Sequence, residues 1–245
     1  MPRYFIEVAY KGTNYAGFQK QDNANTIQAE VEKALSTYFR ADFLLTGASR
    51  TDAGVHAKQN FFHFDSETLF EANKLNKAIY HINAILPLDI VIKSLFPVKD
   101  NAHCRFDAKS RTYEYKIYQS KNPFLQDMAY YYPYTLNIVL LQELAAVIIN
   151  HRDFKKKKKK NSQVHTYDCI IYSSEWINMD GCLIYKVKAN RFLRGMVKGL
   201  VGTMLRSAYK GHSIADFYKI LDAKDSSKVD FSVPANGLTL LEVNY

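Results

Sequence analysis

Between residues 47 and 57 the chain reads Gly47-Ala48-Ser49-Arg50-Thr51-Asp52-Ala53-Gly54-Val55-His56-Ala57. Small residues and two glycines surround one guanidinium, one carboxylate and one imidazole, with almost nothing to fill a core. Such a stretch reads as a tight loop between two strands, where Gly54 permits a positive φ or a close backbone approach to a ligand. It holds a single acid, which disfavours a hydrolase that pairs Asp52 with a second carboxylate. On the residues alone an Asx-type turn, in which Asp52 bonds a backbone N–H, is an equally open reading. No phosphate-cradling loop, dinucleotide fingerprint or metal-spaced cluster occurs elsewhere, so no cofactor is expected.

Other candidates are weaker when taken one by one. His56, His63 and His103 lack partners at helical i+3 or i+4 spacing, so no metal site is expected, and His56 is read as orienting its loop. Cys104, Cys169 and Cys182 are an odd number without CxxC spacing and are read as small buried residues. Arg191 and Arg194 flank an apolar helix, where phosphate contact and a solvated face are equal alternatives. Tyr113 sits in an alternating run and by itself reads as a sheet tyrosine.

These residues need elements to hold them. Tyr4, Ile6, Val8 and Tyr10 alternate as in a strand over Arg3 to Tyr10. From Thr26, a plausible N-cap, Ile27, Val31, Ala34, Leu35 and Tyr38 recur at helical spacing. A strand at Phe43 to Thr46, the loop, a strand at Gln59 to Phe64, a helix from Glu71 to Ile82 and a β-rich run at Ile90 to Leu95 complete the first half. The second half carries strands at Thr112 to Gln119, Cys169 to Trp176, Leu183 to Ala189 and Leu238 to Tyr245. Its helices fall at Leu136 to Ile149, Phe192 to Ser207 and Ile214 to Asp222. This order predicts an α+β protein of two halves, residues 1–105 and 106–245, each a mostly antiparallel sheet with packed helices, rather than a doubly wound parallel sheet.

The 245 residues carry 33 Lys plus Arg against 24 Asp plus Glu, a formal charge of +9. Residues 1–105 contribute +1 and the remainder +8. The bias favours a polyanionic partner, although net charge bears on association and not on fold. Six of those charges are the run Lys155 to Lys160, which must be a water-exposed loop and is either simply solvated or a phosphate-contacting arm. No run approaches the ~18 apolar residues of a membrane span, and the N-terminus alternates like a strand instead of resembling a signal peptide. A soluble, cytoplasmic protein is expected.

Beyond these inferences, ASRTDAGVHA closely resembles the catalytic loop of the tRNA pseudouridine synthase A family, whose pattern is GRTDxGVHA. Further resemblances follow in order. Tyr10 to Gln21 with Thr26-Ile27-Gln28 looks like the family's YDGxxYxGxQxQ and T[VI]Q segments. His103 to Ala108 with Arg111 to Tyr115 looks like HARFxAxxRxYxY, and Phe192 to Gly202 like its FLxxMVRxxVG helix. Pro234 with Gly237 to Leu240 is similar to the closing APxxGLxL.

The resemblance implies one pseudouridine-synthase fold around a central cleft, a homodimer, and no cofactor. Its implied reaction turns uridine into pseudouridine at positions 38, 39 and 40 of the tRNA anticodon stem-loop. Asp52 would be catalytic, as a nucleophile on C1′ or a base at C2′. Arg50 would hold the displaced nucleotide, and Tyr113 would stack on the flipped uracil. Lys198 stands where the family usually has an arginine that pairs with the catalytic Asp. Lysine keeps the charge but not the planar two-pronged geometry. Phe18 for Trp, Ser49 for Gly, Cys104 for Ala and the lysine run in place of a DFxxF-type loop are further departures. A tRNA-binding protein that has lost efficient catalysis is the alternative reading.

Overall fold

A computed structural model describes residues 1–67, 72–152, 154, 168–223, 225 and 227–245, without the side chains of 72 and 73. The lysine run therefore lies outside the described residues. The chain is α+β and divides into two compact units, residues 1–109 with 239–245, and residues 110–238. Against the sequence division after Arg105, the first unit extends four residues further and recruits the C-terminal strand.

In the first unit the strand order is β4-β1-β3-β9, with β1 Arg3–Tyr10, β3 His56–Asp65, β4 Ile90–Val98 and β9 Leu238–Asn244. The β1 pairings with β3 and β4 are antiparallel, whereas β9 lies parallel to the start of β3, His56 opposite Thr239. That pairing explains why the last strand belongs with the first unit. Arg3 and Asp65 face each other at one end of the β1–β3 ladder and form a two-pronged ion pair at 2.7 and 2.8 Å.

Helix α1 (Ile27–Phe39) starts at the expected Thr26, whose hydroxyl accepts the Ala29 N–H at 3.3 Å, and stops where Arg40 turns left-handed at φ 57°. It packs on α2 (Ala72–Ile85), and α2 packs on β4. The expected strand at Phe43 to Thr46 shrinks to β2, Thr46–Gly47, paired with His63 and Phe62. Phe43 instead turns its ring onto Phe39 and Phe64, at 5.4 and 5.2 Å. Its apolar alternation reflects side-chain packing rather than a ladder.

The second unit carries β5 (Ser110–Tyr118), β7 (Ile171–Met179) and β8 (Cys182–Ala189) in the antiparallel order β5-β8-β7. A short β6, Tyr130–Tyr131, lies parallel to the end of β5 and was not expected. Helix α3 (Ile138–Asn150) packs on β7, α4 (Met196–Lys210) and α5 (Ile214–Asp222). The bounds of α5 match the sequence reading because Ser213 and Asp216 form a reciprocal capping box. Helix α4 begins four residues later than expected: Gly195, at φ 68°, takes a left-handed conformation that helical Phe192 to Arg194 could not enter. On that helix a Cβ at Gly202 would stand 2.3 Å from the Asp230 carbonyl oxygen, so the glycine of the VG pair is there for packing.

Candidate active site

The loop between β2 and β3 carries the predicted acid, and its backbone is held from three sides. Below it, Asn60 of β3 is fully buried. Its side-chain oxygen accepts the Ser49 N–H at 3.2 Å, and its amide donates to the Ser49 carbonyl at 2.8 Å and to Tyr10 Oη at 3.2 Å. Tyr10 Oη in turn sits 2.8 Å from Thr51 Oγ1. This buried network of backbone and side-chain bonds favours one arrangement, because a shift strands a donor or acceptor away from water, although the buried Ser49 hydroxyl has no hydrogen-bond partner among the described residues.

On a second side lies the segment 10–20. The Phe18 N–H donates to the Thr51 carbonyl at 3.1 Å, the Gly54 N–H to the Tyr15 carbonyl at 3.3 Å, and the Gly12 N–H to His56 Nδ1 at 3.0 Å. That last bond makes Nδ1 of the buried His56 an acceptor and ties the end of the loop to the 10–20 segment. Tyr15 is itself tethered, its hydroxyl donating to Asp89 Oδ1 at 2.5 Å. Burial first, then the bond to that carboxylate, raises the Tyr15 phenol far above its usual range.

Third, the residues after Asp52 close a turn in which the Val55 N–H donates to the Asp52 carbonyl at 3.2 Å, with Gly54 at φ 77°. A Cβ at Gly12 would lie 2.1 Å from the Val55 carbonyl oxygen. Glycine is required there so that the two segments can touch. Gly12→Ala should push this turn outward and lower kcat by about tenfold or more, since misplacing a reacting group by ~1 Å can cost up to ~10²-fold. Single-turnover kinetics at saturating substrate check this, and an unchanged rate would show that the contact does not set the loop.

Further support comes from α1. Gln28 donates to the Leu45 carbonyl at 2.8 Å and to Glu32 at 2.9 Å, while the Leu45 N–H donates back to Glu32 at 3.1 Å. Buried Glu32 also pairs with Lys20 at 2.8 Å. The Thr26-Ile27-Gln28 segment thus ties the entrance of the loop to a helix. Phe18 stacks on Phe62 at 4.4 Å, and a Cβ on Gly47 would strike its ring at 2.2 Å. The phenylalanine therefore lies flat against the loop's first residue.

Within this scaffold Asp52 is half-buried and Arg50 is exposed. The structure brings these two onto one loop of the first unit. The other two predicted residues belong to the second unit. Tyr113 lies in β5, half-exposed, on the same strand face as fully buried Tyr115, and meets Phe192 edge to face at 5.1 Å. Lys198 is half-buried in the first turn of α4. A cation there opposes the helix macrodipole, whose N-terminal end is already positive. Helix stability therefore gives no reason for Lys198.

Asn60 and Glu32 are supports that the sequence did not single out, whereas Tyr10, Gly12 and Gln28 fall in the segments that resemble the family without their supporting role being read there. Their spacing carries no signal of this role, because the contacts to the loop span from about ten to fifty residues.

The chain matches a family model described as tRNA pseudouridine synthase over residues 6–107 and 149–245. It is 42% identical over 245 residues to tRNA pseudouridine synthase A of Azobacteroides pseudotrichonymphae, covering 100% of this chain and 97% of that protein. To the tRNA pseudouridine synthase A of Porphyromonas gingivalis it is 39% identical, covering 100% and 98%. To that of Staphylococcus aureus it is 34% identical, covering 98% and 90%.

Proposed function

The chain belongs to the tRNA pseudouridine synthase family, and on that footing we propose how its residues divide the work. The reaction is the isomerisation of uridine to pseudouridine in tRNA. The N1–C1′ bond breaks, the uracil turns, C5 joins C1′, and the C5 proton leaves while N1 gains one. Nothing is consumed.

Asp52 opens the glycosidic bond, either by attacking C1′ or by removing a proton at C2′. The observation that carries this reading is the loop itself: a single acid, next to an exposed arginine, on a backbone clamped by a buried network and by the 10–20 segment. A target base in a stem must first be extruded, at a few kcal/mol of unstacking. Arg50 holds the displaced nucleotide through its phosphate. Tyr113 offers a ring to stack on the flipped uracil and a hydroxyl for the C5 proton. Lys198 takes the part of the positively charged residue that the family usually supplies as arginine.

The substrate region is the anticodon stem-loop, with uridines 38, 39 and 40 as targets. The protein acts as a cytoplasmic homodimer, in which one subunit grips the stem-loop while the chemistry proceeds in the other. Among the described residues no helix is long and apolar enough to cross a membrane.

Transcripts in which uridines 38, 39 and 40 are replaced one at a time by cytidine test the site choice. Each replacement should remove one pseudouridine from the product map and leave the others. Product at uridines outside this region, unaffected by the replacements, would overturn it. Lys198 in the place of the usual arginine favours a second reading, a tRNA binder with weak catalysis. Tight tRNA binding without product would support that one.

A further inference from the structure

Near the C-terminal end of β3, beside the entrance of the 47–57 loop, three metal-ligating side chains converge from separate parts of the sequence. His63 comes from the strand, and His103 and Cys104 from the turn that precedes β5. Their ligand atoms all lie within 4.8 Å of one another. His63 Nδ1 is 3.1 Å from Cys104 Sγ, and the two imidazole rings meet edge to face at 4.6 Å. Cys104 is fully buried, His63 nearly so, and His103 is half-exposed, which leaves one side open to solvent.

We propose that His63, His103 and Cys104 form a binding site for a zinc-class divalent ion, three protein donors with water in the fourth position. Thiolate and imidazole are the ligands such an ion selects, at about 2.3 Å to sulfur and 2.0–2.1 Å to nitrogen. Tetrahedral coordination at those lengths places sulfur and nitrogen roughly 3.5 Å apart, so the His63–Cys104 pair must open by about half an ångström. His103 Nδ1 accepts the Arg105 and Phe106 N–H groups at 3.1 and 3.4 Å. Those long, solvent-side bonds are what a ligating His103 gives up, or turns its ring away from.

The surroundings suit an ion. The nearby Arg3 charge is met by the two oxygens of Asp65. Asp107, whose carboxylate accepts the His103 N–H at 2.7 Å, adds a negative charge beside the turn. The Cys104 thiol donates to the Thr46 carbonyl at 3.1 Å, and His63 Nδ1 accepts the Cys104 N–H at 3.4 Å; an ion that takes the thiolate and the imidazole displaces the thiol proton, and both bonds are given up with it. His63 lies opposite Thr46, at the entrance of the 47–57 loop, and seven residues along β3 from His56, where that loop rejoins the strand, about 23 Å at ~3.3 Å per residue. The expectation of no metal rested on local spacing, and this cluster is assembled by the fold from residues about forty apart.

Cobalt(II) added to the reduced full-length protein is the test. One equivalent should produce a thiolate-to-cobalt charge-transfer band and the visible bands of tetrahedral cobalt, both abolished by zinc. Cys104→Ala and the volume-preserving Cys104→Ser should each remove the charge-transfer band, whereas Cys182→Ala should retain it. His103→Ala should weaken binding tenfold or more. Absence of the bands at micromolar cobalt, or their survival in both Cys104 variants, would overturn the assignment.

Discussion

Asp52→Asn is expected to lower the rate of pseudouridine formation by about 10³-fold or more, with tRNA affinity changed only a few-fold. Asparagine keeps the size and the hydrogen-bonding reach of the side chain, so the loop has no steric reason to move. Among the fixed points of that loop are the Asn60 contacts to Ser49, the Tyr10 contact to Thr51 and the bonds from Phe18 and Gly12, each made without the Asp52 side chain. What is lost is the negative charge. An amide neither attacks C1′ as a nucleophile nor takes a proton from C2′, so both routes to bond cleavage close together. RNA affinity rests mainly on phosphate contacts from basic residues, which the substitution leaves in place. Rate and affinity are separated by single-turnover assays beside equilibrium binding at one salt concentration. A parallel fall in both would place Asp52 in binding rather than chemistry.

Lys198→Met should lower kcat by about 10²–10³-fold, the scale seen when one preorganised charge-stabilising group is removed from an active site. Methionine conserves length and helix propensity and removes a cation that opposed the helix dipole, so α4 should be no less stable. Loss of activity without loss of thermal stability would therefore be the signature of a functional lysine. Lys198→Arg is the companion measurement. Arginine should restore turnover to at least the starting level, since a planar guanidinium can hold a carboxylate with two parallel bonds where an ammonium acts as a point charge. A large loss in Lys198→Arg would show a site rebuilt around the shorter group.

Much of the architecture was legible in the residues because local patterns and local partners agree. Thr26 marks a helix start by bonding the amide three residues on, and α1 begins where that residue predicts; α5 begins at the expected Ile214, behind the Ser213 cap. Strand β1 runs from Arg3 to Tyr10 as its alternation requires. Legibility fails where the deciding partner is distant. Phe43 to Leu45 looks like a strand, but its aromatic residue is claimed by Phe39 and Phe64. Nothing around Tyr130 and Tyr131 announces a ladder, because their partners Ile117 and Tyr118 are set by the fold. The loop of residues 47–57 follows the same division. Asp52, Arg50 and Gly54 stand out by composition, whereas Asn60, which bonds the loop backbone at Ser49, is an ordinary residue in an ordinary string, and Gly12 is marked only by its resemblance segment and not by the contact it makes. The bulk charge was the least informative sequence feature: without the lysine run outside the described residues, the formal charge falls to +3.

The central claim is an isomerisation centred on Asp52, and tRNA carrying tritium at uridine C5 tests it most directly. Because C5 exchanges its hydrogen for the bond to C1′, the protein should release tritium to water in step with pseudouridine appearing in an intact chain. Asp52→Asn should suppress both signals together. Free uracil in solution, or tritium release undiminished in Asp52→Asn, would contradict the account.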